Sequence, residues 1–291
     1  MEIMSINSLN SNLANVAQGM QNQGPQHLVP QPGQDTETFA RDQFESGNLD
    51  YDGASLAASI RQIITPGTTV HVVTGTEGND KINIKQGLFG GLTVDVNGEK
   101  FKIKKEDVEG LVIAGMGGDD QIVADKSVKR SLSISGGDGD DYIVGGRHGD
   151  VLLGNGGNDF IEAGGSFRVN GRGVPTDEIF GGDGDDRLIG GGNQSIIHGG
   201  AGDDYIFAGN NPPCLGTTNG RVAYAMKAYG EDGNDEIIGG EHEDYLHGGP
   251  GMDVLQGGWG EDKFVDPDGA YTDHTDPKTR KRFETGGIAK K

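Results

Sequence analysis

The sequence predicts an all-β fold, a parallel β-roll or β-helix solenoid, on three observations. A nine-residue unit of the pattern G-G-x-G-x-D-x-U-x, in which U is a large apolar residue, begins at Gly136 and recurs as far as Val265. Glycine makes up 54 of the 291 residues, and its freedom at positive φ suits a chain that turns every few residues. The last three residues of each unit alternate outward, inward and outward, as in a short strand.

Each unit is predicted to supply one turn and one inward-facing apolar side chain. Ten copies begin at Gly136, Gly145, Gly154, Gly181, Gly190, Gly199, Gly230, Gly239, Gly248 and Gly257. Their inward side chains are expected to stack as the core: Ile143, Leu152, Ile161, Leu188, Ile197, Ile206, Ile237, Leu246, Leu255 and Phe264. An aspartate holds position six in all copies but one. The acidic residues therefore follow the repeat, which an acidic surface without a specific role would not explain.

The array resembles the repeats-in-toxin (haemolysin-type) calcium-binding nonapeptide repeat. The resemblance implies a roll loaded with Ca²⁺, in which two nonapeptides make one coil and an ion lies between unit n and unit n+2. Steps of eighteen residues then pair Asp141 with Asp159, Asp159 with Asp177, Asp186 with Asp204, Asp235 with Asp253, and Asp244 with Asp262. The turns that supply backbone carbonyl ligands beside these aspartates include those at Gly136, Gly154, Gly181, Gly199, Gly230 and Gly248.

Two positions depart from this pairing. Asp150 falls opposite Arg168, and Asp177 falls opposite Ser195 in its next step. Both positions are expected to bind calcium weakly or not at all.

Composition predicts that the roll needs calcium in order to fold. Only 33% of the residues are hydrophobic, so burial alone is expected not to offset the conformational entropy that the glycines lose. Bound cations would cancel much of the net charge of −21, a charge that also argues against nucleic acid as a partner. No apolar run reaches transmembrane length. The single cysteine, Cys214, excludes an intramolecular disulfide.

Residues 1–52 are predicted to form a flexible arm, because they are rich in Asn, Gln, Ser and Pro. Leu9, Leu13, Val16 and Met20 fall at helical spacing, so the alternative is a helix that forms on a secretion chaperone. The arm resembles type III effector N-termini in composition and lacks the basic start and apolar core of a cleavable signal peptide. It is therefore the predicted export signal.

Residues 53–68 are predicted to be a capping helix. Leu56, Ile60, Ile63 and Ile64 follow a helical spacing, and Pro66 lies just beyond them. A repeat array needs its first coil covered, which is the role assigned to this helix.

Residues 69–135 are predicted to form an irregular first part of the roll. This part holds a strand at 69–73 and outlying copies of the repeat at Gly75 and Gly115. It also holds a hairpin whose strands, 92–96 and 100–104, flank Asn97-Gly98.

Residues 136–265 are the predicted calcium-binding roll, with two interruptions. From Gly136 to Gly181 the distance is a multiple of nine residues, so segment 163–180 is predicted to continue the roll. From Gly199 to Gly230 it is not, so segment 208–229 is predicted to leave the roll as a loop.

Residues 266–291 are predicted to be a basic tail. It either lies against the acidic roll or serves as a nuclear-targeting or anionic-surface patch. Within it, the stretch from Asp266 to Gly269 is either a simple turn or a last calcium loop. No zinc site is predicted, since His242 and His247 are five residues apart and H-E-x-x-H requires four.

The predicted function is calcium binding by an exported bacterial repeat protein that folds on calcium outside the cytoplasm. It would act there as a secreted binding or effector protein with a host or cell-surface partner, having left the cell without a cleavable signal peptide. The alternative is a polysaccharide-modifying enzyme of the lyase or epimerase type that acts on a face of the roll. No stretch outside the repeats is long enough for a separate catalytic domain, which favours the binding protein.

Overall fold

Two β-sheets around one core make up the described part of the chain. The computed structural model describes residues 58–65, 68–164, 176–191, 194–207, 226–240, 243–258, 260–266 and 270–272. The predicted arm (1–52), segment 208–225 and the residues beyond 272 lie outside these ranges, as do Arg168 and His242. The described residues form a sheet of ten strands, sheet A, and a sheet of eleven strands, sheet B.

The two sheets extend in the same direction along the chain. Sheet A contains, in spatial order, β1 (Ser59–Thr65), β2 (Thr68–Thr74), β6 (Leu111–Gly117), β8 (Ser133–Asp138), β10 (Val151–Gly156), β12 (Thr176–Asp183), β14 (Gln194–Ala201), β16 (Lys227–Asp232), β18 (Tyr245–His247) and β20 (Lys263–Val265). Sheet B contains β5 (Glu99–Ile103), β4 (Leu92–Val96), β3 (Lys81–Gln86), β7 (Gln121–Ala124), β9 (Tyr142–Val144), β11 (Phe160–Glu162), β13 (Arg187–Ile189), β15 (Tyr205–Phe207), β17 (Glu236–Ile238), β19 (Val254–Gln256) and β21 (Ala270–Thr272). A 3-10 helix at Lys105–Gly110 is the one helix among the described residues.

From β6 onward the chain alternates between the sheets, and each strand pairs in parallel with the strand one coil away. The predicted parallel roll is therefore confirmed. Short strands suffice because each coil lays one strand on either sheet and turns between them. The nonapeptide divides accordingly into a six-residue turn and a three-residue strand, as at β9 and β11.

The core is the predicted apolar stack. Nine of its ten members are 0% exposed, and Phe264 is partly buried against them. Ile179 and Ala228 fill the same inward position in the coils that follow the two interruptions. Each coil thus buries one side chain from each sheet, which leaves the turns to hold the coils together through polar contacts.

The first coils are closed by antiparallel strands. The predicted hairpin is confirmed, since β4 and β5 pair antiparallel around Asn97 and Gly98, both at positive φ. The predicted capping helix is wrong where the structure describes it, because Ser59–Thr65 forms β1, antiparallel to β2. The isoleucine spacing fits a strand equally well, and β-branched residues favour one when a partner strand lies beyond a Pro-Gly pair.

The coils differ in length along the roll. Most equivalent positions are 18 residues apart, as for Asp141 and Asp159. The step is 27 residues from Asp159 to Asp186 and 31 residues from Asp204 to Asp235. The roll resumes at Met226, earlier than the predicted loop end at 229, and it extends past Val265 because β21 pairs with β19.

Candidate metal centre

The turns between the strands lie in two rows, one along each edge of the roll. Turns that lead from sheet A to sheet B carry an unbroken series of aspartates, called here the continuous row. Its members are Asp80, Asp120, Asp141, Asp159, Asp186, Asp204, Asp235 and Asp253. Turns that lead from sheet B back to sheet A form the interrupted row, with Asp150, Asp177, Asp244 and Asp262.

In the continuous row each aspartate is joined to the next. The backbone N–H of one donates to Oδ1 of the aspartate one coil further on, at 2.7–3.0 Å from Asp80 through to Asp253. The aspartate at position six therefore has a structural role, because its Oδ1 holds the turn of the preceding coil in place. All eight side chains are buried.

The second carboxylate oxygen has a different environment. Among the described residues, Oδ2 is buried without a hydrogen-bond partner in six aspartates of this row: Asp120, Asp141, Asp159, Asp186, Asp204 and Asp235. An unpaired buried carboxylate oxygen is costly, and repeating it coil after coil calls for a compensating ligand.

Position-one glycines leave room for that ligand. A Cβ placed on Gly154 would lie 2.0 Å from Oδ2 of Asp159 and 2.6 Å from the carbonyl oxygen of Gly181 in the next coil. Gly181 stands in the same relation to Asp186, at 2.1 Å, and to the Gly199 carbonyl, at 2.5 Å. A carboxylate oxygen and a carbonyl oxygen therefore approach the same point, which only a residue without a Cβ leaves open.

Position-four glycines set the close spacing of the turns. Gly157 and Gly184 have φ of 121° and 129°, a conformation that side chains rarely adopt. A Cβ on either would lie 2.2 Å from the carbonyl oxygen of the position-four glycine one coil before. At position four the contact between coils along this edge is thus made by backbone atoms.

Burial raises the pKa of these carboxyl groups, and neighbouring acids add to the effect. The pKa is raised to about 7 for Asp120, about 6 for Asp141, about 8 for Asp159, about 6 for Asp186, about 8 for Asp204 and about 6 for Asp235. The N–H bond from the preceding coil opposes this rise. A divalent cation in the row would reverse it, because a bound ion is the largest local charge.

In two turns of the interrupted row, backbone N–H groups donate to both oxygens of the carboxylate. Asp150 accepts hydrogen bonds from the N–H of Leu132 (2.8 Å) and of Gly146 (2.6 Å), and Asp244 accepts from Met226 (2.8 Å) and Gly240 (2.7 Å). Burial raises the pKa of Asp150 well above its ordinary value. Ser195 breaks the row where a further aspartate would stand.

The predicted ligands divide between the two rows. The continuous row contains Asp141, Asp159, Asp186, Asp204, Asp235 and Asp253, together with the position-one glycines Gly136, Gly154, Gly181, Gly199, Gly230 and Gly248. Asp177, Asp244 and Asp262 belong to the interrupted row. Six of the nine predicted aspartates thus lie on one edge of the roll and three on the other.

One predicted pairing is wrong. The Asp159 N–H donates to Asp186 and not to Asp177, while the Asp150 N–H donates to Asp177 at 2.9 Å. The segment after β11 adds nine residues to its coil, which preserves the nine-residue phase but exchanges the two edges of the roll. Of the segment 163–180 predicted to continue the roll, residues 176–180 lie in β12 with Ile179 in the core, and residues 165–175 lie outside the described ranges.

Sequence reasoning missed two features of the continuous row. Asp120 has the same unpartnered Oδ2 and the same neighbouring position-one glycine as the repeats after it, and the outlying copy at Gly115 is the signal that could have added it.

Position five forms a second ladder, in which the side chain of one coil accepts the N–H of the next, from Asn79 through Asp119 to Asn234. Its signal is the recurrence of Asp or Asn before Asp.

The first turn of the row is closed by protein groups. Oδ2 of Asp80 accepts the backbone N–H of Thr76, and the Asn97 amide from the hairpin turn bonds to Oδ1. Asn97 therefore ends the series, and the unpartnered oxygens begin at Asp120.

These donors fit calcium. The oxygens available are carboxylate and backbone carbonyl, which are hard ligands of the kind that Ca²⁺ takes. No group of three or more His, Cys, Asp or Glu side chains suited to a metal occurs among the described residues. A cation in the row would accordingly take most of its ligands from the backbone.

The parallel roll and the oxygen ligands along its continuous row are features of a calcium-binding repeat protein. Comparison with known protein families supports this class. Residues 133–166, 180–211 and 229–264 match the family described as RTX calcium-binding nonapeptide repeat (4 copies). The chain carries RTX calcium-binding nonapeptide repeats. No curated protein and no solved structure matches it. In the described part of the chain no helix has the length and apolarity of a membrane span.

Proposed function

We propose that this chain is a secreted protein that folds on binding calcium along the continuous row. The observation that carries the proposal is the row of six buried carboxylate oxygens without hydrogen-bond partners, five of them beside a glycine carbonyl of the next coil. The family match supports calcium as the ion. The match begins at residue 133, so the proposed series is longer than the matched repeats by the turn at Asp120.

The metal-free roll is expected to be unstable. Folding it without cations places six carboxyl groups with raised pKa in a line, in a chain whose net charge is −21. It also fixes the backbone of a glycine-rich chain, at a cost of roughly 1–2 kcal/mol per residue. Calcium supplies the missing free energy, because a ligand that binds only the folded state stabilises it by mass action.

Asp Oδ2 and the position-one carbonyl of the following coil would hold the ion, which supplies positive charge between coils. The aspartate positions the site by tying its Oδ1 to the preceding coil, and the glycine keeps the space open. Sites of this kind outside cells bind calcium at roughly 10⁻⁴–10⁻³ M, so the chain would stay unfolded at cytoplasmic calcium levels.

The remaining segments receive proposed roles from sequence. Residues 1–52 would direct export and bind a secretion chaperone. Segment 208–225 would bind a host or cell-surface partner. The basic tail would lie against the acidic roll. Deleting residues 1–34 should abolish secretion and leave the calcium response unchanged. The lyase or epimerase alternative stays a prediction, which the appearance of unsaturated ends in uronic-acid polymers would support.

Circular dichroism tests the calcium proposal directly. In chelator the purified chain should show little β-structure, and added calcium should produce the β-sheet spectrum in a cooperative transition. Magnesium should substitute poorly, since it demands a tighter geometry and gives up water reluctantly. A β-sheet spectrum of full intensity in excess chelator would refute the coupling of folding to calcium.

A further inference from the structure

The loop between β3 and β4 presents two adjacent large apolar residues to solvent. Leu88 is 100% exposed and Phe89 is 92% exposed. In the described part of the chain no other two exposed large apolar side chains are neighbours in sequence. Neither residue contributes to the core, which is formed at this end of the roll by inward residues such as Ile84 and Leu92.

The loop is a defined structure and not a loose connection. The Gly87 N–H donates to the Gly91 carbonyl at 2.9 Å, and the Gly90 N–H donates to the Gly87 carbonyl at 3.0 Å. Gly90 adopts a φ of 87°, which lets the chain close within five residues. Leu88 and Phe89 form the tip of this closed loop and are held away from the roll.

Positive charge surrounds this tip in an otherwise acidic chain. Four lysines, Lys85, Lys102, Lys104 and Lys105, lie at the loop end of the hairpin and are followed by Glu106 and Asp107, whereas the whole chain has a net charge of −21. Lys85 and Lys102 flank Thr93 in one cross-strand row, adjacent to the last residue pair before the loop. The side chain of Lys105 runs beside the loop, where its Cδ lies 3.3 Å from the Cβ position of Gly90.

A second basic segment lies against the base of the hairpin. The side chain of Gln86 accepts the N–H of Lys129 at 2.7 Å, and the Gln86 N–H donates to Ser127 Oγ at 3.3 Å. The turn that contains Lys126 is therefore fixed beside the tip. The basic character of the tip thus comes from two segments that the fold brings together.

The acidic edge is directed away from the tip. β3 begins after Asp80 of the continuous row and ends at Gln86, so the loop lies at the other end of this strand, on the edge of the interrupted row. Six residues of strand separate the two by roughly 20 Å, which exceeds the Debye length at physiological salt. A surface that approaches the tip would meet lysines and not the aspartates of the row.

We propose that Leu88 and Phe89 insert into the interface of an anionic lipid membrane while the surrounding lysines contact its phosphate headgroups. An apolar anchor combined with basic residues is the pairing that peripheral membrane binding uses, since each alone gives weak attachment. The proposal goes beyond calcium binding and does not rest on it. It assigns to the first coils a role separate from that of the repeats.

Vesicle sedimentation tests this assignment with the full chain, in calcium and in chelator. Vesicles of phosphatidylcholine with phosphatidylserine should bind the chain, and vesicles of phosphatidylcholine alone should bind it less. Leu88→Ser with Phe89→Ser should lower the partition coefficient on the order of tenfold or more. The single change Phe89→Ser should also weaken binding. Its matched control is Ile60→Ser, which alters an exposed apolar side chain of β1 and should leave binding unchanged.

The charge contribution has its own pair of variants. Lys85→Glu with Lys102→Glu should weaken binding to anionic vesicles and reduce its salt dependence, whereas Lys227→Glu, on the outer face of β16, should not. Phe89→Trp should show a blue-shifted emission on vesicles relative to the parent, whose one tryptophan is Trp259. Thermal unfolding in calcium should be the same for all variants, because the altered side chains are exposed.

Three outcomes would overturn the proposal. Equal binding by the parent and the Leu88/Phe89 variant would indicate calcium bridging between lipid and the acidic surface. No binding to anionic vesicles would remove the lipid as a partner. Loss of self-association in the tip variant, without vesicle binding by the parent, would assign the tip to a contact between protein chains. Failure of calcium-coupled folding leaves this test intact, since the vesicle assay also runs in chelator.

Discussion

The two edges of the roll are built from the same nine-residue unit, yet their turns differ in sequence and in hydrogen bonding. Along the continuous row every turn from Gly75 to Asp253 carries aspartate at position six and glycine at position four. Along the interrupted row His148, Asn193 and His242 hold position four in three turns, Gly260 holds it in the turn of Asp262, and Ser195 replaces one aspartate. Oδ2 lacks a hydrogen-bond partner in six aspartates of the first edge, whereas at Asp150 and Asp244 of the second edge a turn N–H donates to it.

Insertions follow the same division. The insertions that lengthen a connection beyond six residues, at 87–110, 125–132, 163–175 and 208–225, all leave from the ends of sheet B strands and return to sheet A. The turns of the continuous row contain none of them. The proposed calcium row and the insertions therefore lie on opposite edges of one repeat.

The largest expected effect is that of a methyl group at position four of the continuous row. Gly184→Ala places a Cβ 2.2 Å from the Gly157 carbonyl at a φ of 129°, so the turn must shift in two coils. The strained backbone alone costs about 1–3 kcal/mol, and the contact adds to it. We expect loss of the calcium-induced β-sheet spectrum at calcium concentrations that fold the parent.

Gly146→Ala, at position two, is the control change on the interrupted row, because position four of that turn is already His148. Its Cβ would meet Val128 at 3.4 Å and Asp150 at 3.5 Å, an ordinary contact, so folding should be close to that of the parent. Equal damage by the two variants would show that the edges are equally close-packed.

Much of this fold could be predicted because its strongest signals are local and repeated. The inward isoleucines and leucines, the aspartates at position six and the Asn97-Gly98 turn each follow from residues within one unit or one turn. The nine-residue period fixes which side chains face inward, whichever sheet a strand joins. The core stack was therefore predictable before any pairing was known.

The features that could not be predicted depend on pairing between coils. The added nine residues before Asp177 leave the local phase unchanged, so no local pattern shows that the two edges have been exchanged. Ile60, Ile63 and Ile64 suit a helix or a strand, and the partner strand β2 decides between them. The series of six unpartnered oxygens along the continuous row likewise follows from which turns are stacked, and single turns do not reveal it.

Removal of one aspartate from each edge sharpens the comparison. Asp159→Ala should lower the number of bound calcium ions and raise the calcium midpoint for folding. Each lost ion removes about 1.4 kcal/mol at calcium near ten times its Kd. Asp150→Ala removes the acceptor of two N–H groups and should lower the unfolding temperature in saturating calcium without changing the number of ions. Equilibrium dialysis with thermal melts separates the two effects, and a lost ion in the Asp150 variant would place metal on both edges.

The pH dependence of the metal-free chain should follow the raised pKa values. A carboxyl group with a pKa of about 8 when folded, as for Asp159 and Asp204, binds more protons in the folded state than in the unfolded state. The free energy of unfolding then falls as pH rises through the interval from about 4 to about 8. In chelator we expect more β-sheet signal at the acidic end of this interval than at its alkaline end.

Calcium reverses this trend, because protons compete with the ion for the same oxygens. The calcium midpoint should therefore rise as pH falls. Asp204→Asn should flatten the dependence of β-sheet content on pH that is seen in chelator. Asp125→Asn should not, because hydrogen bonds from Ser127 lower the pKa of the Asp125 carboxyl group in the parent. A chelated chain that gains structure toward alkaline pH would contradict the assigned pKa values.

The smallest expected effect concerns the position-five ladder, which lies outside the proposed ligand set. The exposed side chain of Asp185 accepts the Asp203 N–H at 2.8 Å, so Asp185→Ala should cost about 0.5–1.5 kcal/mol, the net value of one such hydrogen bond. The number of bound calcium ions should stay the same, because Oδ2 of Asp186 and the glycine carbonyls are retained.

Glu243→Ala is the position-five control on the interrupted row. No N–H among the described residues bonds to the Glu243 side chain, so the unfolding temperature of this variant should match that of the parent. If Asp185→Ala instead removes a calcium ion, position five belongs to the metal site and the continuous row holds two acidic ligands per turn.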